Sequence, residues 1–350
     1  MIPENPLDNS IQYFENMKGL IGPITSLKKE YQLVFLCDSN TYTHCYLPYF
    51  NKIVKHVIVV SAGDIHKNFD ALASVCEQLL KLKAHKKTLL LNLGGGMVSD
   101  LGGFAASVFK RGIPYVNIPT SLLAMCDAAF GGKTAVNLAA IKNAVGSFYN
   151  PLHVWVCPLF LQSLPQNEWR SAWGEIMKML LLFYPEIWSQ KQWLADLESK
   201  QHVQGYIRLA LNAKQFVVNK DPLEKNLRKV LNYGHSIGHA IEAVYNDNDI
   251  PMLHGNAIVW GMQLENMVAY KLGIMKEDVY TEINNVLSGV LKLPDNLLYA
   301  DEISASLLHD KKNEHNNIRM SLLSKPGSFE LDIHVPMSLV ENVIQYYSRL

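Results

Sequence analysis

Across 350 residues, 32 basic and 32 acidic side chains cancel, and no long basic run breaks the balance. That leaves no field to hold nucleic acid or an anionic membrane, although local lysine clusters can still hold a small anion. A hydrophobic share of 49% and a charged share of 18% describe a globular chain long enough for two domains and a large core.

The N-terminal Met-Ile-Pro-Glu-Asn-Pro lacks the basic and apolar regions of a secretory leader. No apolar run approaches the ~18 residues of a membrane span. The cysteines, Cys37, Cys45, Cys76, Cys126 and Cys157, are odd in number and form no Cys-x-x-Cys pair. A disulfide framework is not expected, and a reducing cytoplasm is.

The first segments alternate in type. Apolar runs over residues 33–37, 56–60, 88–93 and 115–119 read as buried strands, and 69–83 has helical spacing. Such alternation predicts a parallel sheet flanked by helices. Near residues 150–160, Asn150-Pro151 and Pro158 interrupt the pattern. Beyond them, 167–184, 202–219, 234–245 and 254–272 read as helices, with a strand-like piece over 318–323. The expected architecture is an α/β domain over 1–155, Rossmann-like in its nucleotide binding, and an all-α domain over 156–350. No internal repeat is visible.

Gly94-Gly95-Gly96 closes the third strand and opens a helix-like segment. Glycines let a backbone approach a pyrophosphate, and a helix N-terminus offers unpaired N–H groups. The stretch is not a G-x-G-x-x-G fingerprint, and a tight strand-to-helix turn has the same look. Asp38, ending an earlier strand, suits a ribose or a helix N-cap.

Between Ser121 and Asn143, Asp127, Lys133, Lys142 and Asn143 stand among small and apolar residues. Lysines in such a setting fit a phosphate or carboxylate better than a solvated face. Asp127 could be an acid, a hydrogen-bond acceptor or a partner of Lys133. Lys110-Arg111 reads as a surface pair or an addition to the same anion site. Lys214, Arg228 and Asn232 form a further polar series, and Asp310-Lys311-Lys312 a charge run near the end.

His235 and His239 are four residues apart and so share one helix face. His254 follows, and Glu175 precedes them in Trp-Gly-Glu-Ile-Met-Lys. Two histidines and a carboxylate are a common ligand set for a catalytic zinc. The His-Glu-x-x-His pattern is absent, and linear order does not say which three converge. If Glu175, His235 and His254 hold the metal, His239 is left for substrate contact or proton transfer.

Seven stretches in fixed order resemble the 3-dehydroquinate synthase family: GGGMVSDLGGF, FKRGIPYVNIPTSLLAMCDAAFGGKTAVN, IKNAVGSFYNP, GEIMK, KDPLEKNLRKVLNYGHSIGHAIE, LHGNAIVWGM and HDKKN. The similarity runs from about Leu33 to Leu323. Sedoheptulose 7-phosphate cyclases look similar over the same span, as do iron- or zinc-dependent glycerol dehydrogenases at greater distance. A cyclase of sedoheptulose 7-phosphate or glucose 6-phosphate and a metal-dependent polyol dehydrogenase are therefore the alternatives. The resemblance implies an NAD-binding α/β domain and a helical domain carrying metal and substrate. It implies a net redox-neutral elimination of phosphate and ring closure on 3-deoxy-D-arabino-heptulosonate 7-phosphate.

It also implies roles. Glu175, His235 and His254 match zinc ligands, with cobalt as a substitute ion. Asp38, Asp64, Lys67, Gly95, Gly96, Asp100, Thr120, Ser121 and Lys142 match NAD contacts. Asp127, Lys133, Asn143, Lys178, Lys214, Arg228, Asn232, His239 and the Lys311–Lys312 pair match substrate positions. Arg111 matches an arginine that reaches the substrate phosphate of a neighbouring subunit, which implies a homodimer acting on a small sugar phosphate. Against the family pattern, Ala128 and Ala129 stand for serines, Ile141 and Asn226 for glycines, Asn256 and Asp64 for glutamates, and Cys157 for aspartate. None of these changes removes a proposed ligand.

Overall fold

Residues 10–139, 141–295, 297–308 and 317–348 are described by the computed structural model. They fall into two compact units. One is built on the chain up to Trp169 together with Gln204–Gln215, the other on Arg170–Val203 and the chain from Phe216 on.

The first unit holds β1 (Ile11–Tyr13), α1 (Met17–Leu27), β2 (Gln32–Asp38), the short turns α2 (Ser39–Thr41) and α3 (Leu47–Tyr49), β3 (Val57–Val60), α4 (Phe69–Lys81), β4 (Thr88–Gly94), α5 (Gly96–Val108), β5 (Tyr115–Pro119), β6 (Lys133–Leu138), β7 (Ile141–Phe148) and β8 (His153–Val156). Six strands form one sheet in the order β1-β8-β5-β4-β2-β3, with every pairing parallel. All seven residues of β4 are buried. Burial on both faces explains why β2 and β4 read as continuous apolar runs without alternation. Val34, Leu36, Leu90, Val98, Leu101 and Ala105 join sheet and helices in one core.

The chain steps from β2 outward to β3, then crosses back to place β4 on the other side of β2. Ligands of open parallel sheets lie outside the C-terminal strand ends at such a reversal. Asp38 ends β2 and Gly94 ends β4, so both sequence-marked positions sit there.

The antiparallel hairpin β6–β7 lies in the stretch between Ser121 and Asn143 and beyond it, where the sequence showed only a dense polar region. Its strands do alternate in burial, but Lys142, Asn143 and Gly146 in β7 are weak strand formers, so the pattern does not stand out in the sequence.

The second unit takes α6 (Gln166–Phe183) from Arg170 on, then α7 (Pro185–Gln190), α8 (Gln192–Ser199), most of the rest of the chain's helices, and one hairpin. The helices are α9 (Val203–Lys220, which both units share), α10 (His235–Asp247), α11 (His254–Lys271), α12 (Glu277–Val290), α13 (Ala300–Leu308) and α14 (Met337–Ser348). The strand-like piece at 318–323 is part of β9 (Asn317–Lys325), paired antiparallel with β10 (Ser328–Pro336). Burial nearly all round α11, from Gly255 to Ala269, marks it as the central helix. None of the described helices is long and apolar enough to cross a membrane.

Candidate metal and nucleotide sites

Three helices of the second unit bring four chemistry-bearing side chains together. Glu175 lies mid-way along α6, His235 opens α10 and His254 opens α11. The Nε2 atoms of His235 and His254 stand 3.3 and 3.5 Å from the same oxygen, Oε1 of Glu175. His239 lies one turn along α10, its ring centroid 4.9 Å from that of His235. One ligand atom from each of His235, His239 and His254 can be chosen so that all three lie within 4.8 Å of one another.

The far sides of the two nearer imidazoles are also held. Nδ1 of His235 is 3.2 Å from the Tyr233 carbonyl oxygen, and Nδ1 of His254 is 3.1 Å from Oε2 of Glu242. A carbonyl and a carboxylate on Nδ1 favour the tautomer that leaves Nε2 for a metal.

Glu175 is fully buried, yet neither of its oxygens accepts a well-aligned hydrogen bond. Burial alone would push its carboxyl up. The Lys178 ammonium at 2.5 Å and the two imidazoles outweigh burial and hold it well below the ordinary range. The imidazoles diverge. Burial and the nearby Lys178 charge lower His235, whereas Glu175 and Glu242 overcome burial and lift His254 to about 10. A buried carboxylate lacking aligned donors, with two imidazole nitrogens on one side of it, fits a divalent ion bound by nitrogen and oxygen.

Side chains this short meet only where backbones nearly touch. A Cβ on Gly174 would overlap the carbonyl of Gly255, and one on Gly255 would overlap the carbonyl of Ser171. Gly174 precedes Glu175 and Gly255 follows His254, so the α6–α11 contact sits at the predicted ligands themselves. Gly255→Ala is expected to force the helices apart at a cost of at least ~1–3 kcal/mol. Urea denaturation and metal titration of that variant would check it, since both stability and metal binding should fall together.

The rest of the helical set is mixed. Lys178 is buried, donates to the Leu231 carbonyl at 2.9 Å and pairs with Glu175, so it belongs to the Glu175 cluster. Arg228 is also buried, with Nη1 donating to the Pro222 carbonyl at 2.7 Å. The Asp221 carboxylate gathers the backbone N–H groups of Lys225, Asn226 and Arg228 and so shapes the loop that carries Arg228. Asn232 donates to Glu224 at 2.8 Å. Glu224, Glu242 and Glu265 went unmarked in the sequence. Lys311 and Lys312 lie outside the described residues.

In the first unit, the predicted nucleotide residues collect at the C-terminal edge of the sheet. Gly95 is the N-cap of α5 and gives no side-chain cap, which leaves first-turn N–H groups for an anion. The Thr120 N–H donates to the Gly94 carbonyl at 3.0 Å. Ser121 Oγ would touch a Cβ on Gly95, and the Ala128 methyl one on Gly96. The absent hydroxyl at Ala128 therefore lies over the glycine turn. Asp38 spends one oxygen capping α2 through the Thr41 N–H at 2.8 Å, which realises its N-cap reading.

Lys67 draws the remaining nucleotide residues together. Its Nζ lies 2.9 Å from Asp100, 3.2 Å from Asp64 and 2.7 Å from Asn143 Oδ1. Lys142 adds a contact to Asp64 at 3.4 Å. Asn143, assigned to substrate, is thus in one network with residues assigned to NAD. Lys214 pairs with Asp127 at 2.8 Å and also donates to its carbonyl at 2.6 Å. Lys133 is exposed at the start of β6. Arg111 is exposed in a left-handed turn with φ of 61°.

Comparison with known proteins places this geometry. Residues 57–171 match the family model of the N-terminal part of 3-dehydroquinate synthase, and 172–313 that of its C-terminal part. The 3-dehydroquinate synthase of Parabacteroides distasonis is 35% identical over 341 residues, covering 95% of this chain and 96% of the relative. That of Helicobacter pylori is 34% identical over 337 residues, with the same coverage.

Among solved structures, a 2-deoxy-scyllo-inosose synthase complexed with carbaglucose-6-phosphate, NAD+ and Co2+ superposes with a TM-score of 0.82 at 26% identity over 96% of both chains. The 2-epi-5-epi-valiolone synthase of Streptomyces hygroscopicus, with NAD+ and Zn2+ bound, shares the fold at a TM-score of 0.85 and 22% identity, covering 99% of this chain and 98% of that one. The architecture is the one these synthases share: a parallel-sheet unit followed by a large helical region. The chain belongs to the 3-dehydroquinate synthase family.

Proposed function

We propose that this enzyme converts 3-deoxy-D-arabino-heptulosonate 7-phosphate into 3-dehydroquinate and phosphate, using NAD and a divalent metal, zinc or cobalt. The observation that carries the reading is the pair of imidazole Nε2 atoms converging on the buried Glu175 carboxylate, in a chain of this family. Bound, the two cofactors would supply a hydride acceptor restored within each turnover and a Lewis acid.

Glu175, His235 and His254 would hold the metal. Gly95, Gly96, Thr120 and Ser121 would cradle NAD at the sheet edge, with Asp38, Asp64, Lys67, Asp100 and Lys142 around them. His239, exposed beside the cluster, would take and return a proton. Lys178 balances the Glu175 charge. Asp127, Lys133, Asn143, Lys214 and Asn232 would orient the substrate, and Arg228 its carboxylate, so that each reacting geometry is set beforehand.

A homodimer, with Arg111 reaching the partner's substrate phosphate, is supported by exposed Val108 near Arg111 and exposed Leu138, Ile141 and Phe148 on the β6–β7 hairpin. The five free cysteines suit a reducing cytoplasm.

The test is phosphate release from 3-deoxy-D-arabino-heptulosonate 7-phosphate with NAD and Zn2+ supplied. Release that requires NAD and leaves no free NADH supports the proposal. Release only from sedoheptulose 7-phosphate or glucose 6-phosphate would move the chain to another sugar phosphate cyclase. NADH accumulating from simple polyols would make it a dehydrogenase.

A further inference from the structure

Helix α10 carries both His235 and His239 but lacks a local cap. Its N-cap residue, Gly234, has no side chain to accept from the first turn and sits at φ of 79°. A side chain there is excluded, because a Cβ would lie 2.6 Å from Met262 Cγ. Close packing against α11 has therefore displaced the usual Ser, Thr, Asp or Asn cap. The first-turn N–H groups are nonetheless buried, and buried donors need partners.

The partner comes from α11. Glu265 is fully buried, and its two oxygens accept separately from the Gly234 N–H at 2.7 Å and the Ile237 N–H at 3.1 Å. Both oxygens thus accept at the positive end of the α10 dipole. The adjacent residue acts on the same turn. Asn266 Oδ1 accepts from the Tyr233 hydroxyl at 2.7 Å, and its Nδ2 donates to Asn284 of α12 at 2.8 Å. Two neighbouring residues of α11 thus grip the two residues that lead into His235.

His254 stands at the N-terminus of the same helix, about three turns from Glu265. One rigid rod then both supplies His254 and fixes the azimuth of the turn bearing His235. We propose that Glu265 is a positioning residue of the metal centre, a cap donated from α11 that sets where His235 and His239 point. This rests on the metal reading above.

The experiment uses the full chain stripped of metal, with Co2+ as the probe in competition with a chelator. Glu265→Ala is expected to weaken Co2+ binding by roughly 10- to 100-fold, the range for loss of a group that orients a ligand. Glu265→Gln, which keeps the shape but only one acceptor, should fall between it and the parent. Leu287→Ala, a buried cavity variant on α12, controls for general destabilisation and should bind Co2+ like the parent. In parallel, hydrogen exchange of residues 233–240 is followed without metal, and Glu265→Ala should lose protection there.

Parent-like Co2+ affinity in Glu265→Ala, or equal loss in Leu287→Ala, would overturn the proposal. So would unchanged exchange at 233–240. If the parent protein itself binds no Co2+, the metal reading fails, and with it the claim that Glu265 positions ligands.

Discussion

Glu175→Ala should abolish metal binding and turnover, whereas His239→Ala should keep the metal and lose the rate. All four residues converge, so geometry alone admits either Glu175 or His239 as the third ligand beside His235 and His254. Burial separates them. Glu175 is a fully enclosed anion whose oxygens accept no aligned hydrogen bond, while His239 is exposed. Loss of Glu175 should cost more affinity than the ~10–100-fold typical of an outer partner. Loss of His239 should cost ~10²–10⁴-fold in kcat with affinity retained. Metal content by atomic absorption, together with single-turnover rates, separates the two outcomes. Glu175→Ala also strands the buried Lys178 ammonium, at ~3–5 kcal/mol of stability. Adding Lys178→Met should recover much of that stability and none of the metal.

Lys67→Met should damage the nucleotide edge to a similar degree. Lys67 is buried and stands between Asp64 and Asp100. Burial pushes the Asp100 carboxyl up even with Lys67 present, and the neighbouring Lys67 and Lys142 hold Asp64 below its usual value against the same burial effect. Removing the cation leaves the more enclosed Asp100 carboxylate without its ion-pair partner, while Asp64 keeps Lys142, at a cost of up to ~3–5 kcal/mol near neutral pH. The sign follows from linkage. Asp64, depressed in the fold, contributes stability above its unfolded value and loses it as pH falls. Asp100, raised in the fold, opposes stability at neutral pH and is relieved on protonation. The deficit of the variant should therefore narrow as pH drops toward the ordinary Asp value of ~3.9. Urea melts of both proteins from pH 7 to pH 4 would show it, and NAD titration should show binding lost at neutral pH.

The helices that carry the predicted metal ligands were legible because their apolar spacing is regular. The predicted 254–272 and the observed His254–Lys271 differ by one residue. The hairpin was not, because Lys142, Asn143 and Gly146 in β7 are weak strand formers and few large apolar residues mark its faces. Glu175, His235 and His254 stood out by type and by resemblance as candidate ligands, but their convergence depends on helix contacts that no local spacing encodes. The Lys67–Asp100–Asn143 network escaped for the same reason, since its members lie 33 and 76 residues apart. Glu265 is a different case. It stands in a helix buried nearly all round, where a carboxylate must find a partner inside the protein. Gln263 and Asn266 beside it break the apolar run, so nothing in the sequence marked that burial.

The glycine approaches beside the ligands also have a meaning in time. Ser171 and Gly255 are 84 residues apart, and backbones that touch at this range do so only once α6 and α11 are fully seated. Closing so long a loop precedes any reward from that touch. The cluster of Glu175, His235 and His254 is thus expected to form late on the folding route. An ion bound there should then act as a latch on the finished molecule, retarding unfolding and leaving the speed of folding as it was.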